Sequence, residues 1–425
     1  MAIETKTFGD VQTVTSVGKQ HFVPLTTEDG NLAKIGLENF QDSLNFSGIQ
    51  VIVLNLAPQL TLEQTSDPAF DVANKDGAVW QQYRNQMGGY MLLVKNGSVY
   101  AAKLNANDWN QFADGTDATS MASVCETMVH LPDCYYKGDG KTLTFAGATK
   151  LDGLHKFASP NWVGAYEMYV DSAGAGHSRP DVAPGHSKTM SAFWTCAQKL
   201  GSQWGLANYG FHCLINALYQ VGYGNLNSQA TIGTGGNISS WETWRDVLMG
   251  YGRTIGDGSG TAATSLDGQN CVKLFGFEDL WAKLWEFRPG IRFYYDSTNA
   301  KRYAVVYDGN IVSNTATGRT FEIPVLNGNG GYVKSMTLGE YWDVIPTAVG
   351  GGESIYYGDG YWDNTSGELL FVGGSADSGT RCGVSCALSG SGFSISGSNL
   401  GARLAFYGQP TIVNGSELVA LAGAS

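Results

Sequence analysis

The clearest helical periodicity in this chain lies in one central stretch, and that placement restricts the fold more than any other feature. After Ser187, which can cap a helix, Met190, Phe193, Trp194 and Ala197 fall on one helical face, and Gly201 follows where a left-handed C-terminal residue sits. Phe211, Leu214, Ile215, Leu218 and Val221 repeat the pattern ahead of Gly222. A third, shorter helix begins near Ser240 with Trp241, Trp244 and Leu248. On both sides of this block the signals are short strands broken by glycine. Residues 91–95 and 98–102 flank Asn96-Gly97, a dipeptide that supplies the positive φ angles of a tight hairpin turn. Residues 302–307 and 310–314 flank Asp308-Gly309 and predict a second hairpin for the same reason. Strands and helices therefore come in blocks, not in alternating βαβ units, and the expected class is α+β without a parallel nucleotide-binding sheet.

The first 55 residues read as short strands and turns: Gly9-Asp10-Val11, HFVPL from His21, a turn at Asp29-Gly30, then a small helix over 35–44 from Leu37, Phe40 and Leu44. The organisation expected for the chain is an N-terminal attachment or oligomerisation region (1–55), a β-rich connector (56–120), a large ligand-binding domain (121–412) and a tail (413–425). The start, MAIETKTFGD, lacks a basic region followed by an apolar core, so no secretory signal is expected there. The best apolar run, 49–57, is interrupted by Gln50 and Asn55, so no membrane insertion is expected.

A net charge of −12 with no basic run argues against a partner held through its phosphates, such as nucleic acid. The 12% aromatic content excludes a disordered chain. Seven scattered cysteines (Cys125, Cys134, Cys196, Cys213, Cys271, Cys382 and Cys386) fit reduced, partly buried thiols and folding in a cytoplasm. All six histidines lie in the first half, and no spacing suits zinc. IGTGGN from Ile232 and GDGSG from Gly256 lack the spacing of a phosphate loop, and GVSCA from Gly383 lacks the second glycine of a nucleophile elbow. Carboxylates occur at Glu278-Asp279 and at Asp363 and Glu368; the latter pair, beside Asn364, has calcium-type donors but reads more readily as a satisfied turn. Phe277, Leu280, Trp281, Leu284 and Trp285 have helical spacing and read as core. Cys382 and Cys386 form the one close thiol pair, of a kind that could hold a soft metal, although two small residues in a Gly/Ser-rich strand region are the simpler reading.

Residues 371–408, FVGGSADSGTRCGVSCALSGSGFSISGSNLGARLAFYG, resemble the C-terminal strand-loop-strand of the C-type lectin-like fold shared by formylglycine-generating enzymes and the variable proteins of diversity-generating retroelements. The framing residues of the resemblance are Gly373, Gly374, Gly379, Gly383 and the closing Asn399-Leu400-Gly401-Ala402-Arg403-Leu404. WVGAYEMYVD, SRPDVAPGHSKTMSAFW, YGNLNSQATIG, FGFEDLWAKLWEF, GGYMLLVKNG, AAKLNANDWNQFADGT and LPDCYY are similar to proteins of bacteriophages and prophages, so the likeness spans roughly residues 85 to 410.

The resemblance implies a receptor-binding tail protein, often a homotrimer. It would be folded in the host bacterial cytoplasm, carried at the tail or tail tip of the virion beside other phage tail proteins, and would bind a cell-surface receptor, protein or glycan, with no cofactor and no metal. The ligand-contacting residues it implies are Ser375, Ala376, Asp377, Ser378, Arg381, Ser385, Ala387, Leu388, Ser391, Phe393 and Ile395. Gly373, Gly374, Gly379, Gly383, Gly401 and Arg403 would form the fixed frame, with the Arg403 fork bonded to carbonyls or a carboxylate.

In retroelement-diversified members, mutated adenines of AAC and AAT codons cannot yield Lys, Glu, Gln, Met or Trp. Those five types number 64 in residues 1–368, so about seven would be expected in the next 40; residues 369–408 contain none. The fold's other branch implies a copper oxidase using Cys382 and Cys386, whose spacing here departs from that branch, and a purely structural virion protein is the third alternative.

Overall fold

In the computed structural model the described residues are 23–26, 32–35, 60–64, 70–73, 77–140, 142–236, 241–261, 270–326, 329–355 and 357–423. They form an α+β structure dominated by short strands, as the block order of the sequence implies. Of the N-terminal expectations, HFVPL is met by strand Val23–Thr26, paired with Leu32–Ile35. Gly9-Asp10-Val11, the turn at Asp29-Gly30 and the helix beyond Ile35 lie outside the described residues.

Two sheets position the C-terminal segment. The first runs, in spatial order, Trp204–Leu206, Arg403–Phe406, Trp162–Glu167, Glu126–His130, Gly88–Lys95, Ser98–Asn105 and Thr411–Val413, with Asp108–Phe112 paired to Ser98–Asn105. The expected boundaries at 120 and 412 fall inside this single sheet. The second runs Pro346–Val349, Asn329–Met336, Gly360–Asp363, Ala387–Ser389, Phe371–Val372, Trp285–Phe287 and Leu400–Gly401. Three short strands of the 369–408 segment thus lie in one sheet and the fourth, Arg403–Phe406, in the other.

The 96–97 hairpin forms as the dipeptide requires: Asn96 has φ 52° and Gly97 φ 78°, and Lys95 pairs with Ser98. The hairpin expected at Asp308-Gly309 does not form. Strand Lys301–Val306 pairs instead with Ile291–Asp296 before it and Arg319–Ile323 after it. The tight turn is 296–301, where Asp296 Oδ1 accepts from the amides of Thr298 (2.9 Å) and Asn299 (3.3 Å) and Ala300 takes φ 54°. Gly309 is small because a Cβ there would lie 2.1 Å from Asn208 Nδ2. An Asp-Gly pair can serve close packing as well as a turn.

Helix Met190–Gln198 is capped by Thr189, whose side chain accepts from the Ala192 amide (3.1 Å), rather than by Ser187. Helix Tyr209–Tyr223 is capped by Asn208 and ends at Gly224 in the left-handed conformation, two residues beyond the expected Gly222. The third helix is only Trp241–Arg245; Trp244 is buried, whereas Leu248 is 40% exposed. Residues 277–285 are core, as their apolar spacing implies, but not a helix: Phe277–Glu278 and Trp285–Phe287 are strands, and Asp279 and Ala282 between them have positive φ. Buried residues on consecutive short strands and bends can imitate a helical period. All seven cysteines are unpaired and buried. Burial pushes the Cys125 thiol up to about 12, with Glu126 adding to the rise. Among the described residues no helix is long and apolar enough to cross a membrane.

One buried pair makes stability pH-dependent. His177, which ends the small hairpin of Tyr169–Val170 and Gly176–His177, lies 2.7 Å from Glu126 Oε1 and 3.2 Å from Asp171 Oδ2. Burial alone would lower its pKa, but the two carboxylates outweigh burial and raise it above the usual 6.5. A raised folded-state pKa stabilises fully below the unfolded value and is lost as pH rises through the folded one. Replacing His177→Gln should therefore lower the Tm more at about pH 6 than at about pH 9, and thermal melts of the two proteins across pH check it; an equal loss at both values would contradict the charge assignment.

Candidate ligand-binding surface

The two ends of the segment are tied by buried ion pairs. Arg403 is fully buried and spends its whole fork: Nε and Nη2 donate to Glu286 (3.0 and 2.6 Å), Nη1 to the carbonyls of Gly164 (3.1 Å) and Ala165 (2.9 Å), and Nη2 also to the Glu278 carbonyl (2.7 Å). It thereby joins Arg403–Phe406, Trp162–Glu167 and the 278–286 stretch. Glu286 also pairs with Arg288 at 2.8 Å. Burial alone would raise the Glu286 carboxyl, but Arg403 and Arg288 hold it below the usual carboxylate range. Arg302, also fully buried, donates to Asp363 (3.2 Å) and to the Ser389 carbonyl (2.6 Å) and hydroxyl (3.0 Å). The Asp363 carboxylate is thus taken up by Arg302, and it accepts from the Leu326 amide as well (3.1 Å).

Between these anchors, side chains from outside the segment hold its backbone. Asn216 Nδ2 donates to the Val384 carbonyl (3.0 Å), Ser228 Oγ accepts from the Val384 amide (3.0 Å), and Asp359 Oδ2 accepts from the Ser385 amide (2.8 Å). Gln229 donates to the carbonyls of Thr380 (2.8 Å) and Cys382. Further along, Asn364 donates to the Gly390 carbonyl (2.7 Å), Glu368 accepts from the Phe393 amide (3.2 Å), and the Ser187 amide donates to the Gly397 carbonyl (3.0 Å). Glycine is needed where this clamp is tight. A Cβ on Gly373, at φ 89°, would lie 2.5 Å from the Leu280 carbonyl, and one on Gly383 would lie 1.9 Å from Asp359 Oδ1. Gly374 and Gly401 are tightly surrounded too, Gly374 by the Sγ atoms of Cys382 and Cys386 and Gly401 by Leu284, whereas Gly379, at φ 63°, is half-buried beside Ser378.

The eleven side chains expected at the ligand fall into two groups. Ser375, Ala376, Ser385 and Ala387 are buried. Ser375 donates to Asp377, Ala376 packs with Trp244, Val247 and Cys271, and Ser385 donates to Asn216 (2.5 Å). Ala387 faces inward because neighbouring residues of a strand point to opposite faces. These four belong with the frame. Asp377 is exposed, and Ser378, Arg381, Leu388, Ser391, Phe393 and Ile395 are half-buried at the surface.

Tyr332 and Trp362, outside the segment, complete the surface. Both are half-buried, and the Arg381 guanidinium lies 5.7 Å from the Tyr332 ring centre and 5.9 Å from that of Trp362. Tyr332 pairs across the sheet with Gly360, and Trp362 with Leu388. The result is a strip on one sheet face, aromatic and aliphatic with a single cation.

Cys382 and Cys386 are fully buried, and burial pushes both thiols upward. The Cys382 Sγ donates to the Ser375 carbonyl (3.2 Å). Among the described residues, Cys271, Glu278 and Asp279 are the potential metal-ligating group. Lys283 already lies 3.3 Å from Asp279 there, and the Gly250 amide donates to Glu278, whose carboxyl is pushed up to about 8 by burial and then by Asp279.

The arrangement is a clamped backbone on an α+β frame carrying a short set of side chains at the surface, of which Leu388, Phe393 and Ile395, with Trp362, also pack partly against the core. In solved structures, the chain is similar to the Major Tropism Determinant U1 variant, at 14% identity over 75% of this chain and 72% of that one, with a TM-score of 0.29. It is also similar to the M1 and I1 variants, at 14% and 12% identity over the same shares, with TM-scores of 0.27. No protein-family model matches the chain, and no curated protein matches it.

Proposed function

We propose that this chain is a phage tail receptor-binding protein whose C-terminal lectin-like region binds a bacterial surface receptor through the outward side chains of residues 375–395. The observation that carries this reading is the division of labour in the segment. Its backbone is held by Asn216, Ser228, Gln229, Asp359 and Arg302 from outside, through amides and carbonyls common to every residue type. Side chains carried on such a backbone can change without moving it, as in a paratope with rigid anchors such as Phe393 and adaptable serines. The absence of Lys, Glu, Gln, Met and Trp from residues 369–408 supports a history of retroelement diversification. The protein acts at the tail or tail tip, beside other tail proteins, and a homotrimer would multiply a modest single-site affinity through effective concentration. Binding of this kind needs no catalytic group and no cofactor.

The test is a block variant in which Asp377, Ser378, Arg381, Leu388, Ser391, Phe393 and Ile395 are exchanged together for other polar and aromatic residues. Adsorption to a panel of bacterial strains should change in pattern while the chain still folds, with a stability loss of about 0.5 kcal/mol at each polar site and more at Leu388, Phe393 and Ile395, which pack partly against the core. Adsorption to an unchanged set of strains would place the receptor surface elsewhere.

A further inference from the structure

All ten arginines of the chain are among the described residues, and nine of them donate to a carboxylate or a backbone carbonyl. Arg381 has no acceptor among the described residues. It is nevertheless held in place: its guanidinium lies against Tyr332 and Trp362, and its stem crosses Gly360, where a Cβ would come within 2.9 Å of the Arg381 Cβ. A Cβ on Gly330 would fall 2.6 Å from Arg381 Nη1 and 2.3 Å from Trp362 Nε1. Two glycines and two aromatic rings therefore form a slot shaped to this one side chain. A stacked guanidinium loses little further freedom on binding, and its fork matches a carboxylate with two parallel hydrogen bonds.

On the reading that residues 375–395 form the ligand surface, we infer that Arg381 is the anchor for an Asp or Glu side chain of a protein receptor. The surroundings favour a protein over an acidic polysaccharide. Leu388 is the register partner of Trp362, and Phe393 and Ile395 lie further along the segment, half-buried. All three pack partly against the core, and the apolar area they leave exposed is best buried against other apolar side chains. The Trp362 ring already meets Trp285 edge-on at 5.5 Å in addition to Arg381, which leaves less of it for a sugar. The site thus suits an acidic residue with apolar neighbours.

The probe is a displayed library of random peptides selected on the full chain, with polygalacturonate as the polysaccharide arm. Enriched peptides should carry Asp or Glu beside apolar residues, and Arg381→Gln should weaken them about tenfold or more, with Arg381→Lys restoring little because the fork and the stacking are lost. A Glu→Gln change in the peptide should weaken binding to the native chain and not to Arg381→Gln, a comparison that holds whatever that variant does to stability. Selected peptides without acidic residues, or peptides indifferent to Arg381→Gln, would overturn the inference. So would Arg381-dependent retention of polygalacturonate that exceeds peptide binding, which would assign the anchor to an acidic saccharide. If the block exchange redirects strain adsorption while Arg381→Gln leaves peptide selection untouched, the receptor-binding function stands and the anchor falls.

Discussion

Replacing Arg403→Met should cost about 3–5 kcal/mol of unfolding free energy, the range for removing one partner of a buried ion pair. The size follows from what the fork does: it neutralises Glu286 and satisfies carbonyls from two other stretches of chain, all away from water. Arg288 would remain on Glu286, so the carboxylate would keep one partner, but the carbonyls of Gly164, Ala165 and Glu278 would lose this donor. Arg403→Lys should recover only a small part, because one ammonium cannot reach three directions in a plane. As a control, Lys301→Ala breaks a pair with Glu322 that is about half exposed on both sides, and it should cost under about 1 kcal/mol. Urea unfolding of the three variants decides the matter. Because Glu286 is held below its ordinary pKa, its contribution is intact above that value and lost only as pH falls through the folded-state pKa. The Arg403 effect should therefore persist unchanged from neutral to alkaline pH. A loss under about 1 kcal/mol for Arg403→Met would mean that the closing strand is held by packing alone.

Gly373→Ala should be nearly as severe, at about 3 kcal/mol, from a strained positive φ combined with overpacking. The obstacle is the main-chain carbonyl of Leu280, 2.5 Å from the new Cβ, and a carbonyl fixed in the core cannot swing aside as a side-chain tip can. The same change at Gly97, also at positive φ but with nothing near its Cβ, isolates the conformational part and should cost only about 1 kcal/mol. Chemical unfolding of both variants measures the difference. Equal costs would show that the Gly373 strand can shift, and the clamp would then be looser than its geometry implies.

The sequence was informative where local chemistry decides the outcome. Asn96-Gly97 announces its hairpin because the turn's own dihedral angles demand those residues. The apolar faces of 190–198 and 209–223 announce helices because the period is intrinsic to the element. Asp308-Gly309 misleads because its glycine answers to Asn208, about 100 residues earlier in the chain, and no local rule carries that contact. The display segment shows the same split. Its glycine frame and Arg403 are visible as a pattern, whereas the inward turn of Ser375, Ala376, Ser385 and Ala387 depends on which strand faces which sheet. Tyr332, Trp362 and Asp359 lie outside the segment and reach it only through pairing of distant strands. One signal was available: His212, Asn216 and Gln220 form a polar stripe at four-residue spacing on an otherwise apolar helix. Asn216 from that stripe holds the segment, and Gln220 accepts from Trp342 (3.0 Å).

On the proposed function, the frame is held through backbone and the ligand is read through side chains. Two libraries test it directly, one varied at Asp377, Ser378, Arg381, Leu388, Ser391, Phe393 and Ile395, the other at Ser375, Ala376, Ser385 and Ala387, each scored for soluble folded protein and for adsorption to a panel of bacterial strains. Most members of the first library should fold, with divergent strain preferences, while most members of the second should fail to fold. Folded members of the first library that all adsorb to the same strains as the native chain would contradict it.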